Sequence, residues 1–187
     1  MIGMTFFLLV LLIIAGFLAS LYNRIVFLKN NFMRAWANID VLLKQRHDEI
    51  PKLVSTCEGY MKFEKKVLEN VTALRSQAMG AKNVGEKLQA EQLLTQAISG
   101  LFAVIENYPD LKSNEQFSNL QKRISYLENQ ISDRREFYND SAAIYNTLIE
   151  QIPYNFIATY FNFSRQELFM ASIEDKKDIA IKFDVPK

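Results

Sequence analysis

Residues 4–43, MTFFLLVLLIIAGFLASLYNRIVFLKNNFMRAWANIDVLL, join two hydrophobic patterns without a break between them. Up to Tyr22 almost every side chain is apolar, and no residue from Met1 to Asn23 is charged. About 20 such residues in a helix cross a hydrocarbon core of roughly 30 Å. Phe6, Leu12, Ile14 and Leu21 belong to this expected span. Beyond Asn23 the apolar residues thin to Ile25, Leu28, Phe32, Trp36, Ile39 and Leu43, spaced by threes and fours. That is the stripe of an amphipathic helix. No Gly or Pro lies between Tyr22 and Ile50, so one helix is expected to leave the bilayer and continue into a folded body.

A cleaved signal peptide would need a basic n-region and small residues at its cleavage site. No Lys or Arg precedes the apolar run, GFLAS serves the second requirement poorly, and no lipoprotein cysteine follows. An uncleaved anchor is therefore expected over 1–23. Arg24, Lys29, Arg34, Lys44 and Arg46 all follow the span. The positive-inside rule then puts the N-terminus outside and the body in the cytoplasm. Tyr22 is placed at headgroup level.

The composition excludes several classes. A formal net charge of +1 offers no field for nucleic acid. With one cysteine and one histidine, neither an intramolecular disulfide nor a zinc site of His and Cys ligands can be built. No Gly-rich phosphate loop, GxSxG elbow or HExxH is present. No catalytic, cofactor-binding or metal-binding residues are assigned. Six glycines and four prolines in 187 residues favour helices over sheets.

The expected fold is all-α, an N-terminal transmembrane helix continuing into a long-helix antiparallel bundle over 24–165, with a tail at 166–187 that is partly helical and then loose. Pro51 is expected to kink the first helix rather than reverse it, because no loop residues surround HDEIPKLV. Val54, Cys57, Met61, Leu68, Val71 and Leu74 then carry the helix to about Met79, with AKNVG as the first turn. A third helix follows and stops at Pro109. Ser113, with Gln116 three positions on, opens a fourth that ends before Pro153. One or two short helices are expected in the aromatic-rich segment after it. At 1.5 Å per residue the first long helix would reach roughly 85 Å beyond the membrane. Shorter partners would leave the Trp36 stripe uncovered, so either the chain bends harder at Pro51 or the body packs against other copies of itself.

Three stretches carry a family likeness. AWANIDVLLKQRHDEIPKLVSTCEGYMKFEKKVLENVTALR (35–75), LFAVIENYPDLKSNEQFSNLQKRISYLENQISDRREFYNDSAAIYNTLIEQIP (101–153) and NFIATYFNF (155–163) resemble, in this order, segments of the LemA family. The likeness covers about residues 20–165. It implies a bacterial protein with one membrane helix and a cytoplasmic helical bundle, of no established molecular function. Family genes often lie near one for a membrane metalloprotease, which suggests a role in envelope maintenance. Tyr154 stands where the family often has asparagine, and His47 where a small residue is common.

Two groups of residues are singled out. Asp40, Arg46 and Glu49 interrupt the first stripe, and heptad counting along the fourth helix lands on Arg134. An interhelical network, with Arg134 or Arg135 meeting Asp40 or Glu49, is expected over a carboxylate or phosphate site. Tyr154, Phe156, Tyr160, Phe161 and Phe163 are expected to cap the bundle end; the alternative is that Phe156, Tyr160, Phe161 and Phe163, with Trp36, contact a second protomer, a partner or the membrane interface. His47 reads as a solvated surface residue and Cys57 as a small buried hydrophobe. The expected function is a non-enzymatic, self-associating membrane scaffold. The alternative is an accessory or sensor subunit of a membrane protease or envelope-stress signalling partner. A ligand-binding or enzymatic bundle built around Arg134 is a third reading.

Overall fold

Pro51 lies inside the longest helix without ending it. In the computed structural model, which describes residues 2–169, α1 runs from Ile2 to Glu58 through that proline. A proline takes away the N–H that would bond the carbonyl four residues earlier, here that of His47. A donor from another helix, the Nε of Arg75, meets that carbonyl at 2.7 Å.

The first reversal comes earlier than the sequence suggests, before AKNVG is reached. The chain leaves α1 at Glu58 and turns through 59–64, with Met61 folded inward and 1% exposed. It then returns as α2 (Lys65–Gly80). The helix expected to reach Met79 is thus two antiparallel limbs. Both limbs face one core, so the three-and-four spacing persists through the turn and does not report it.

α3 (Val84–Ile105) starts at Asn83, whose side chain accepts the N–H of Glu86 at 2.8 Å, while the Glu86 carboxylate takes the N–H of Lys82. A short α4 (Pro109–Lys112) leads to α5 (Glu115–Glu150). Asn114, not Ser113, caps α5, accepting from the Phe117 N–H at 3.0 Å. Ser113 bonds the carbonyl of Asp110 instead. α6 (Tyr154–Tyr160) is the one short helix among the described residues of the closing segment. Of the expected tail, residues 166–169 are extended without helix, and 170–187 lie outside the described residues.

The fold is all-α. Its core is in two parts, stacked along α1. Far from the N-terminus, Ile50, Leu53 and Cys57 of α1 pack with Val71 of α2, Leu94, Ile98 and Leu101 of α3, and Ile124 of α5. Nearer the apolar segment, Ile25, Phe32, Ile39 and Leu43 pack with Ile131, Tyr138, Ala142 and Tyr145 of α5 and with Ala158 of α6. Each such aliphatic side chain contributes about 1.5–3 kcal/mol on burial. At 36 residues α5 is about 54 Å long, enough to cover α1 from Glu58 back to Tyr22. The Trp36 stripe is therefore covered within the chain. The length mismatch that left it open came from counting α2 as an extension of α1. Beyond the bundle, α1 carries an apolar window of mean hydropathy 2.7 with none of it buried.

Candidate functional site

Arg46 is completely buried, and it marks the boundary between the two core parts. Its Nη1 donates to Thr95 Oγ1 at 2.7 Å and to Glu128 Oε1 at 2.5 Å, and its Nη2 donates to Glu91 Oε2. His47 Nε2 lies 3.0 Å from the other oxygen of Glu91, which is itself fully buried. Three helices thus meet in a polar layer, with a guanidinium from α1 between a carboxylate of α3 and one of α5. Burial pushes the Glu91 carboxyl up. The His47 imidazole beside it, with the charge and hydrogen bond of Arg46, outweighs this and holds the group below its ordinary value. A buried arginine is tolerable only with this degree of pairing.

The structure corrects the expected partners. Asp40 pairs with Lys87 of α3, and Glu49 with Lys52 one turn along its own helix at 3.0 Å. Arg134 is exposed. Arg135 faces inward, where burial and the nearby Arg46 charge lower its pKa from the ordinary arginine value. Its guanidinium stacks on the Phe169 ring at 4.8 Å. Neither arginine reaches Asp40 or Glu49, so of the five residues only Arg46 belongs to the buried layer. His47, expected in solvent, is 6% exposed, because its ring turns to Glu91. Cys57 is fully buried, and desolvation pushes its thiol up to about 11.

A second arrangement occupies α5 beyond the polar layer. Asn146 Oδ1 accepts the N–H of Gln166 at 2.8 Å, while its Nδ2 donates to the Gln166 carbonyl at 2.9 Å. Asn139 repeats this with Phe169, at 2.9 and 3.1 Å. Between them Tyr138 donates its hydroxyl to the Glu167 carbonyl at 2.9 Å. Seven residues of helix rise about 10.5 Å and three residues of extended chain about 10 Å, so the two asparagines match a strand in register. Residues 164–169 are thereby strapped antiparallel along α5. Phe169 anchors the strap between Tyr138 and Trp36, at centroid distances of 5.6 and 6.0 Å. Neither Asn139 nor Asn146 was singled out from the sequence. Their signal is two asparagines seven apart inside a helix, where asparagine is a poor former.

The closing aromatics divide. Trp36 is half-buried, and Lys29 covers the half-buried ring of Phe163 at 5.5 Å. Tyr22 stacks on Phe161 at 4.8 Å and on Phe163 at 5.9 Å, which brings this turn to the end of the apolar segment. Phe156, Tyr160 and Phe161 remain 67%, 80% and 50% exposed. Phe6, Leu12 and Ile14 are exposed along α1, whereas Leu21 already packs on the bundle. Among the described residues no group of His, Cys, Asp and Glu could hold a metal ion.

Comparison with known proteins gives a consistent grouping. The LemA family profile matches residues 35–183. Magnetosome protein MamQ 2 of Paramagnetospirillum magneticum is 25% identical across 83% of this chain and 68% of its own length. Magnetosome protein MamQ of Magnetospirillum gryphiswaldense is 24% identical across 79% of this chain and 64% of its own. Protein LemA of Metamycoplasma hominis is 26% identical across 93% of this chain and 82% of its own.

Proposed function

Because the chain belongs to the LemA family, and is on that ground a membrane-associated protein, we propose that it is a single-pass, non-enzymatic scaffold that self-associates at the bacterial cytoplasmic membrane. The bundle lies on the cytoplasmic side. What supports the anchor is the continuity of α1, which carries an exposed apolar segment into the bundle on one helix. Tyr22, Phe161 and Phe163 then gather where that segment ends, as interfacial aromatics do.

The observation that carries self-association is the outer face of α5. Phe137, Ser141, Ile144 and Leu148 follow one another at four, three and four residues, the spacing of a helix-pairing seam. Phe137 and Ile144 are each 56% exposed. Leu148 packs on the bundle's own core and Ser141 is half-buried, so the open part of the seam is the Phe137–Ile144 pair, two turns apart, which favours a second helix. This face replaces the Trp36 stripe as the support for assembly.

Light scattering on the full-length protein in mild detergent tests the reading. A uniform assembly of one polypeptide is expected. A monomer, or stoichiometric capture of a different protein in place of a second copy, would overturn it.

A further inference from the structure

The strap at 164–169 is held by its main chain. Five of its backbone groups are bonded by three α5 side chains, Tyr138, Asn139 and Asn146. Two-point pairing of a side-chain amide with one residue's N–H and C=O reads an extended backbone and ignores the side chain attached to it. The clamp is therefore a receptor for a strand of peptide, with an aromatic socket for Phe169 at its end. Phe169 is the one apolar side chain the strap inserts, and Ser164, Arg165, Glu167 and Leu168 are exposed. A cavity of about 300 Å³ lined by Lys29, Phe32, Met33 and Trp36 lies on one side, and one of about 430 Å³ lined by α3 residues and Arg135 on the other. Segments with few buried apolar contacts open at low free energy.

We propose that this clamp also takes the strap of a second copy, so that neighbouring chains exchange residues 164–169. The proposal rests on the self-association argued above and supplies a mechanism for it. Three observations favour a second copy as the occupant. Its strap fits by identity, with phenylalanine at the socket and an acid at 167, where Gly85 leaves room for the Glu167 carboxylate beside the first turn of α3. The strap joins α6 through Asn162, a non-glycine residue at φ 55°, which a change of backbone region would swing outward. Short hinges of this kind invite exchange between identical chains. Third, anchored copies hold clamp and strap at one height above the bilayer, because both pack along the same Lys29–Trp36 stretch of α1 in every copy. Confinement of that kind raises the effective concentration of one for the other.

Cross-linking between two distinguishable full-length copies tests the exchange. Glu150 and Arg165 pair across clamp and strap at 2.6 Å, and both are exposed, so cysteines there leave the core intact. Cys57 is buried and does not compete. One tagged copy carries E150C and a differently tagged copy carries R165C, co-expressed in membranes and treated with a short bismaleimide. The expected result is a product bearing both tags, absent from either variant alone. Gln166→Pro in the R165C copy should reduce it several-fold, since it deletes the N–H that Asn146 reads without touching the bundle. The exchange is overturned if only a chain carrying both cysteines joins, within itself. A product equally abundant with E150C alone, or unaffected by Gln166→Pro, also overturns it, as does the absence of joining in every combination. An assembly by light scattering without the two-tag product defeats the exchange and leaves the scaffold standing. A monomer by light scattering defeats both.

Discussion

Arg75 of α2 donates from its Nε to the backbone carbonyl of His47, the group that Pro51 leaves without a helical partner. The proline and the arginine are thus one device. Replacing Arg75 by methionine keeps the aliphatic stem and strands the carbonyl, at a cost of about 1–3 kcal/mol. Pro51→Ala restores the missing N–H, so the same arginine substitution should cost well under half as much in that background. A double-mutant cycle by urea denaturation measures the coupling. Additive effects would mean that the carbonyl is satisfied without Arg75.

The polar layer should behave as a unit. Arg46→Met leaves the buried Glu91 and the half-buried Glu128 with one cation fewer, and removing one member of such a set costs about 3 kcal/mol or more. Glu91 has a pKa below its ordinary value, so the folded form holds its proton less tightly than the unfolded form. Its contribution is complete above the ordinary carboxylate range and is lost as pH falls through the lowered pKa. Melting temperature followed from about pH 7 to pH 3 should fall, and Glu91→Gln should flatten that fall while lowering the neutral-pH value.

These relationships mark what could be read in the chain and what could not. The continuous α1 was legible, because a charge-free span runs into a stripe with no breaker between them. The reversal at 59–64 was not, since Cys57, Met61 and Leu68 keep helical spacing on both limbs of a hairpin that shares one core. That single miss produced the uncovered Trp36 stripe. Arg46 stood out as a charge on an apolar face, but its partners lie far away in sequence, and pairing by type chose Asp40 and Glu49 for the wrong arginines. Glu91 had a signal, three residues from both Leu88 and Leu94. Heptad counting chose Arg134, although eleven residues from Ile124 is close to three full turns, which brings Arg135 inward. The asparagine clamp needs the strap beside it before its purpose is visible.

Cys57 offers a simple probe of core integrity. Its thiol is fully buried and pushed up to about 11, so both access and thiolate fraction are low near neutral pH. The native protein should resist maleimide labelling over hours and label fully in guanidinium. Rapid labelling under native conditions would mean that the α1–α2 end opens easily.

The outer face of α5 separates assembly from folding. Phe137→Ser with Ile144→Ser removes two exposed side chains, so the melting temperature of a dilute sample should change little. The mass by light scattering should drop toward that of a single chain if this face pairs with a second copy. An unchanged mass would move the interface elsewhere, with the exposed Phe156 and Tyr160 as the next surface to substitute.

The aromatic turn beside Tyr22 can be placed relative to the bilayer with the one native tryptophan as its control. Trp36 lies fourteen residues beyond Tyr22, about 21 Å along the helix. In vesicles of brominated lipid its fluorescence should be quenched little, because bromine acts only at short range. In a Trp36→Phe background, Tyr160→Trp puts the probe on an exposed position whose ring neighbours Phe161, 5.0 Å away. Phe161 in turn stacks on Tyr22. If that cluster sits at the headgroups, the second protein should be quenched several-fold more than the first. Equal, weak quenching of both would lift the turn clear of the membrane and leave its exposed aromatics to protein contacts.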